Sequence, residues 1–147
     1  MMLKLMNYAQ EHDYIFNLTL WHKTNVPPFT GSCYLKDCEF AIMIKEKGVK
    51  MYGDYYSLSR VFESPINTKD KEIWGHPTMK PVELMEKYII NHTVEGDTVL
   101  DFYTGSGTTA IACKKTERNF IGFELDKTFY SNAKKRIDQY KVQGSLF

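Results

Sequence analysis

The stretch 96–109 constrains this chain more than any other, and it reads Gly-Asp-Thr-Val-Leu-Asp-Phe-Tyr-Thr-Gly-Ser-Gly-Thr-Thr. An apolar run reaches Asp101 and passes into a glycine turn at 105–107, after which a helical pattern continues through Ala112. Strand, tight turn and helix in this order let backbone N–H groups approach a ligand closely. The stretch therefore predicts a cofactor site, although such turns also serve simply to change direction between packed elements.

A second strand-like run follows about fifteen residues after the turn. Residues 119–124, Asn-Phe-Ile-Gly-Phe-Glu, end on an acid and close a strand–helix–strand unit of the expected size. Nucleotide-binding folds place a carboxylate on ribose hydroxyls at this point of the unit. Glu124 is therefore a candidate for ribose binding.

The segment 76–81, His-Pro-Thr-Met-Lys-Pro, precedes a helical run at 82–90. Pro81 suits a helix start, because the first N–H groups of a helix have no intrahelical partner. Thr78 and Lys80 then offer a hydroxyl and a cation next to the glycine turn.

Together these motifs resemble the S-adenosylmethionine-dependent DNA amino-methyltransferases, which act on adenine N6 or cytosine N4. More narrowly, the order of motifs resembles the class whose chain is permuted so that the cofactor motif lies near the carboxyl terminus. The resemblance covers residues 14–137 and is most specific at 76–126. One departure is that the family's usual Asp-Pro-Phe is Asp-Phe-Tyr at 101–103. Loss of that proline frees the local backbone.

The resemblance implies a role for each part of the cofactor site. Asp101 and the turn would hold the methionine end of S-adenosylmethionine, Thr78 and Lys80 its carboxylate side, and Glu124 the ribose. The full set of predicted cofactor-binding residues is Thr78, Lys80, Asp101, Phe102, Tyr103, Gly105, Ser106, Gly107, Thr108 and Glu124.

The family holds the target amine with Asp/Asn/Ser-Pro-Pro followed by an aromatic residue. The candidate here is Asn25-Val26-Pro27-Pro28-Phe29, in which a valine separates the asparagine from the prolines. The side chain and carbonyl of the polar residue must converge on one nitrogen, and a shift of one residue turns the side chain away. An exposed proline turn is the favoured interpretation of this stretch, and no catalytic residue is convincingly identified.

The family also implies an α/β fold, a doubly wound Rossmann-like sheet, from which this chain would lack the central catalytic strands. Four strands without their centre would leave open edges that invite pairing with another chain. We therefore expect a second chain supplying the catalytic half, or a homo-oligomer. Two alternatives stay open: a non-catalytic partner subunit or inert remnant, and a methyltransferase acting on RNA or protein.

The amino-terminal residues 1–47 predict a helix over 2–10 followed by two strands at 17–22 and 39–44. The two strands are expected to pair as an antiparallel ribbon. The connection 23–37 is long for a hairpin and contains two prolines, which is typical of an exposed loop.

Residues 48–75 lose periodicity and mix aromatic with basic side chains, a composition suited to phosphates and bases. The resemblance places target recognition here, and DNA is the expected partner. A solvated loop whose aromatic side chains pack on the core is the alternative. The predicted DNA-binding residues are Lys23, Lys50, Tyr55, Tyr56 and Arg60.

The cofactor unit is predicted to span 76–140, with a loose tail at 141–147. Asp126 is placed to cap a helix whose apolar residues recur every three or four positions, at 129, 130, 133, 137 and 140. Residues 134–136, Lys-Lys-Arg, are expected to form a solvated face of this helix.

The 147 residues fit one domain, and 43% hydrophobic content is enough for a core. A net charge of +1 means that any DNA contact must be local. Three cysteines and the lack of a signal peptide or long apolar run favour a reducing cytoplasm, with no membrane association. Cys33, Cys38 and His22 do not have standard zinc spacing, so no metal is expected.

Overall fold

The computed structural model describes residues 2–28, 31 and 33–140, which form an α/β fold of two compact units divided between Ile66 and Asn67. The division falls inside the predicted recognition segment 48–75. The predicted tail 141–147 lies outside the described residues. None of the helices within the described ranges is long and apolar enough to cross a membrane.

The first unit contains one helix and a three-stranded sheet. Its elements are α1 Met2–Glu11, β1 Ile15–Lys23, β2 Cys38–Lys45 and β3 Val61–Ser64. The sheet order is β2-β1-β3, with β2 antiparallel and β3 parallel to β1. The predicted helix and antiparallel ribbon are confirmed. Strand β3 was missed, and with it the described residues contain five strands rather than the four expected.

The core of this unit lies around Trp21, which is 3% exposed. Its indole Nε1 donates to Ser64 Oγ at 2.9 Å, so the central strand is fixed to β3 by a side-chain hydrogen bond as well as by backbone pairing. Ala9 of α1 is fully buried. Small and aromatic side chains thus fill the space beside the sheet.

The second unit alternates helices with two short strands. Its elements are α2 Thr68–Trp74, α3 Val82–His92, β4 Thr98–Asp101, α4 Thr108–Lys115, β5 Asn119–Gly122 and α5 Lys127–Gln139. β4 and β5 are parallel, with Thr98 opposite Asn119 and Asp101 opposite Gly122. The predicted strand–turn–helix–strand unit is confirmed.

Local sequence explains where these helices begin. Pro81 occupies the position before α3, and Gly107, in a left-handed conformation, occupies the position before α4. The Asp126 side chain accepts hydrogen bonds from the Thr128 and Phe129 amides, which confirms the predicted cap of α5. The core between α3, α4 and the strands contains Ile89, Ala112, Cys113, Val82, Met85, Val99 and Phe120.

Candidate functional site

The backbone turns sharply between β4 and α4. Gly105 and Gly107 have φ values of +53° and +77°, a region that side chains disfavour. A Cβ on Gly105 would lie 2.9 Å from Nε2 of His76, which is too close for real atoms. The Gly107 amide donates to the Thr104 carbonyl at 2.9 Å and closes the turn. The turn therefore requires glycine for both conformation and space.

The carboxylate of Asp101 is fixed at the carboxyl end of β4. Its Oδ1 accepts from the Tyr103 amide at 2.9 Å, and its Oδ2 accepts from Thr109 Oγ1 at 2.7 Å. Thr109 was not predicted, although its place on the first turn of α4, eight residues after the acid, was a usable signal. These two contacts orient an anion where the strand ends.

A cavity of about 230 Å³ opens beside the turn. It brings together seven of the ten residues predicted to bind a cofactor, which are Thr78, Lys80, Asp101, Tyr103, Gly105, Ser106 and Thr108. Five lining residues were not among that set: His76, Met79, Met85, Thr104 and Thr109. The segment 76–81 and the glycine turn, which are distant in sequence, thus form one site.

His76, which was not among the predicted site residues, packs against the glycine turn. Its ring lies 4.6 Å from the ring of Phe129, centroid to centroid, and its Nε2 faces Gly105. Its Nδ1 is buried and, among the described residues, has no hydrogen-bond partner. A buried nitrogen of this kind normally has a partner, so the site offers a polar atom for a ligand or water.

Glu124 lies outside the lining of this cavity. Its Oε2 accepts from the Gly105 amide at 2.8 Å and its Oε1 from the Asp126 amide at 2.9 Å. It lines a second cavity of about 190 Å³ with Gly122 and Tyr130. The carboxylate therefore joins the end of β5 to the glycine turn, and its predicted contact with ribose stays a prediction.

The remaining two predicted residues lie at the margin of the site. Gly107 begins α4, and its absent Cβ would lie 3.0 Å from Cδ1 of Ile137. Phe102 is 64% exposed and stacks on Phe123 with ring centroids 6.1 Å apart. An exposed pair of rings beyond the strand ends is a surface on which a planar group can stack.

Arg136 corrects the expectation of a solvated face at 134–136. Lys134 and Lys135 are exposed, but Arg136 is only 5% exposed. Burial lowers the pKa of its guanidinium, and the Asp70 carboxylate, 3.2 Å away, opposes that shift. The missed signal was spacing, because Arg136 lies three residues after Ala133 on the face of the helix that packs inward.

The stretch 25–29 has structural contacts in the first unit. Asn25 Oδ1 accepts from the Ile66 amide at 2.6 Å, and its Nδ2 donates to the Ile66 carbonyl at 3.5 Å. Pro27 and Pro28 are exposed, and Phe29 lies outside the described residues. The amide of Asn25 thus holds a loop, which favours the proline-turn interpretation.

The predicted DNA-binding residues differ in their availability. Lys23 pairs with Glu39 at 2.8 Å, and its side chain is only 13% exposed. Tyr55 and Tyr56 are 87% and 82% exposed, in edge-to-face contact with centroids 5.3 Å apart. These two rings do not pack on the core, contrary to the solvated-loop alternative.

The two remaining basic candidates are exposed in the same unit. Lys50 Nζ lies 5.5 Å from the Tyr52 ring centroid, and Arg60 is exposed immediately before β3.

Among the residues that the structure describes, no group of three or more His, Cys, Asp and Glu side chains is arranged to hold a metal ion.

The sequence matches known proteins over almost its whole length. The sequence profile of the N6_N4_Mtase family, described as DNA methylase, matches residues 4–135. The type II methyltransferase M2.DpnII of Streptococcus pneumoniae is 32% identical over 146 residues, which cover 90% of this chain and 54% of the relative. M2.LlaDCHI of Lactococcus lactis subsp. cremoris is 31% identical over 152 residues, covering 95% and 56%. The chain thus spans about half the length of these relatives.

Solved structures share the fold. The crystal structure of the M1.HpyAVI–SAM complex is 35% identical and has a TM-score of 0.74, covering 90% of this chain and 67% of that one. The cytosine-N4-specific PvuII DNA methyltransferase is 18% identical with a TM-score of 0.71, covering 96% and 57%.

Proposed function

This chain belongs to the N6_N4 DNA methylase family, and from that premise we propose that it forms the S-adenosylmethionine-binding part of a DNA methyltransferase. The transferred methyl group would go to an exocyclic amine of adenine or cytosine. The observation that carries the proposal is the cavity shared by Asp101, the glycine turn and Thr78 with Lys80. The 35%-identical structure with a bound SAM supports it.

The residues of the cavity fit such a cofactor. The space at Gly105 would be lost with any side chain, and the buried Nδ1 of His76 has no partner among the described residues. Asp101 presents an anion for an ammonium group, and Lys80 a cation for a carboxylate. The donor set therefore matches the two charges of an amino-acid moiety.

Each residue would act by binding and orienting. Asp101 and the turn would hold the methionine moiety, Thr78 and Lys80 its carboxylate, and Glu124 the ribose after exchanging one of its amide contacts. When bound, the cofactor supplies an activated methyl group on a sulfonium, which needs alignment with the amine more than covalent help. The protein's part here is to fix that alignment.

We propose further that the amine-holding group comes from another polypeptide segment. Pro27-Pro28 is the one Pro-Pro pair in the sequence, and Asn25 is engaged by Ile66. β4 pairs with β5, and no other strand in the described part of the chain pairs with it. Beside β4 lies a cavity of about 350 Å³ lined by Met85, Tyr88, Ile89, Val99 and Leu100 among others. A strand from a second chain or a second copy would cover this edge.

DNA is the proposed substrate, with contacts from the first unit. Tyr55 and Tyr56 offer exposed rings for bases, while Lys50 and Arg60 offer cations for phosphates. Lys23 is a weaker candidate because Glu39 neutralises it. Two alternatives remain: a non-catalytic subunit or remnant that retains the cavity, and a methyltransferase acting on RNA or protein.

Calorimetry with S-adenosylmethionine and S-adenosylhomocysteine tests the cofactor site. We expect the wild-type chain to bind and Asp101→Asn to lose about 1–3 kcal/mol of binding free energy, the cost of weakening a charge-assisted hydrogen bond. Asp97→Asn is the matched control, because Asp97 Oδ2 caps the other end of β4 through the Val94 amide. Equal affinities for wild type and Asp101→Asn, or an equal loss in the control, would reject the assignment.

A further inference from the structure

Arg136 is the one charged residue among the buried residues that the structure describes. A buried charge is costly unless it is paired and its hydrogen-bonding capacity is met. The two terminal nitrogens of the guanidinium bond to different elements: Nη1 donates to the glycine turn and Nη2 donates to α2. An apolar side chain would be enough to pack α5 at this position, so the paired guanidinium calls for a further explanation.

The Nη1 side fixes the start of α4. Nη1 donates to the Ser106 carbonyl at 3.0 Å and to Thr108 Oγ1 at 3.1 Å, with a longer contact of 3.4 Å to Ser106 Oγ. Both partners are buried. Gly107, between them, lies against Ile137 of α5, the helix that carries Arg136. Any rotation of the turn would therefore break hydrogen bonds between buried groups, which is costly.

The Nη2 side connects the turn to α2. Asp70 Oδ2 accepts from Arg136 Nη2 at 3.2 Å and from Asn67 Nδ2 at 2.8 Å. At the other end of α2, the Trp74 carbonyl accepts from Asn132 Nδ2 of α5 at 3.3 Å. Helix α2 is thus held to α5 at both ends and presents the counter-ion of Arg136.

We propose that Arg136 is a positioning residue that holds the glycine turn in its cofactor-binding conformation, with Asp70 of α2 as its required counter-ion. The inference rests on the proposed function, because it assigns Arg136 a role in that same site. Arg136 does not line the cavity itself and acts through Ser106 and Thr108. Lysine cannot replace it, since a single ammonium does not span both sides as the planar guanidinium does.

The test compares Arg136→Lys with Arg118→Lys. Arg118 is the control because it is a half-buried arginine that donates to Thr93 and Thr116, away from the turn. Calorimetry measures affinity for S-adenosylmethionine, thermal unfolding measures stability, and hydrogen exchange measures protection of residues 104–111. Asp70→Asn is measured alongside them.

We expect both lysine variants to lose stability, but only Arg136→Lys to lose about tenfold or more in cofactor affinity, the value of one charge-assisted hydrogen bond. Exchange at 104–111 should quicken in Arg136→Lys and stay unchanged in Arg118→Lys. Asp70→Asn should weaken binding in the same direction, because it leaves the guanidinium without its counter-ion.

Three outcomes would overturn the proposal. The first is that Arg136→Lys binds the cofactor with wild-type affinity, and the second is that Arg118→Lys loses as much affinity as Arg136→Lys. The third is that Asp70→Asn binds with wild-type affinity, which would show that α2 has no role. If the wild-type chain binds no cofactor, the proposed function fails, and hydrogen exchange still decides on Arg136. Faster exchange confined to 104–111 would support its hold on the turn, whereas unchanged exchange would reject it.

Discussion

Three structural features at Gly105 each restrict which residue can occupy that position. Its φ of +53° is left-handed, its Cβ position lies 2.9 Å from His76 Nε2, and its amide donates to Glu124 Oε2. A side chain here would strain the backbone and push a ring that already packs on Phe129. The residue is therefore more sensitive to change than a glycine required for conformation alone.

A comparison of the unfolding free energies of Gly105→Ala and Gly48→Ala tests whether the lack of space at Gly105 adds to the backbone strain. Gly48 has a φ of +82° but nothing within 4 Å of its Cβ position, so its substitution measures backbone strain by itself. We expect about 1 kcal/mol for Gly48→Ala and about 1–3 kcal/mol more for Gly105→Ala, because of the added clash. Urea unfolding gives both values. Equal losses would show that the ring moves aside without cost.

Sequence reasoning found the residues whose roles depend on local spacing. Asp101 and Gly105 were identified because a strand–turn–helix pattern fixes them locally, and Thr78 and Lys80 because of the segment 76–81. The structure places all four around one cavity. Arg136 was misjudged because its burial depends on Asp70, 66 residues earlier in the chain. Long-range pairing of this kind leaves little trace in a helical pattern.

At the scale of elements, α4 is the helix most enclosed by its neighbours. Every residue from Thr108 to Cys113 is buried. Cys113 is fully buried, and burial raises the pKa of its thiol to about 11. Its thiolate is therefore suppressed while the helix stays packed.

Alkylation reports on that packing. At about pH 8.5, where part of a free thiol is ionised, iodoacetamide should modify exposed Cys33 in the native chain but Cys113 only after unfolding. Mass spectrometry of the peptides distinguishes them. Because the folded pKa is raised, the neutral thiol's contribution to stability is present below about pH 9, the unfolded value, and lost as pH rises toward about 11. Cys113→Ala should lack this part of the pH dependence, and rapid native modification of Cys113 would contradict the packing.

The two elements that sequence patterns missed, β3 and α2, are both short. β3 has four residues and pairs in parallel with β1, so its hydrogen bonds come from a distant segment rather than a hairpin. The seven-residue α2 has no buried residue and depends on the Asn67 cap and a left-handed Gly75. Elements with a strong apolar periodicity of their own, such as α3 and α5, were predicted within a few residues of their bounds.

At the scale of the whole molecule, the chain provides about half of what its relatives contain. We expect the purified chain to transfer no label from S-adenosylmethionine to DNA by itself, because the amine-holding group is proposed to lie on another segment. Label should reach DNA when the unmatched part of M2.DpnII is supplied as a separate chain, and Asp101→Asn in the mixture should reduce it.

A filter assay offering DNA, RNA and protein in parallel measures this transfer. Label in DNA from the chain alone would show that the catalytic group is already present. Label in RNA or protein, but not in DNA, would favour the alternative substrates. Failure of every mixture, with cofactor binding intact, would favour a non-catalytic subunit.

The position of the division between the two units also determines where a chimera of this protein and a relative should be joined. Helix α2 follows Ile66, belongs to the second unit and supplies the counter-ion of Arg136. A chimera that exchanges the recognition segment with a relative should therefore join the sequences between residues 66 and 67. A junction at residue 75 would import a foreign α2, and the ion pair with Arg136 would then be kept only if the donor brought an aspartate to position 70.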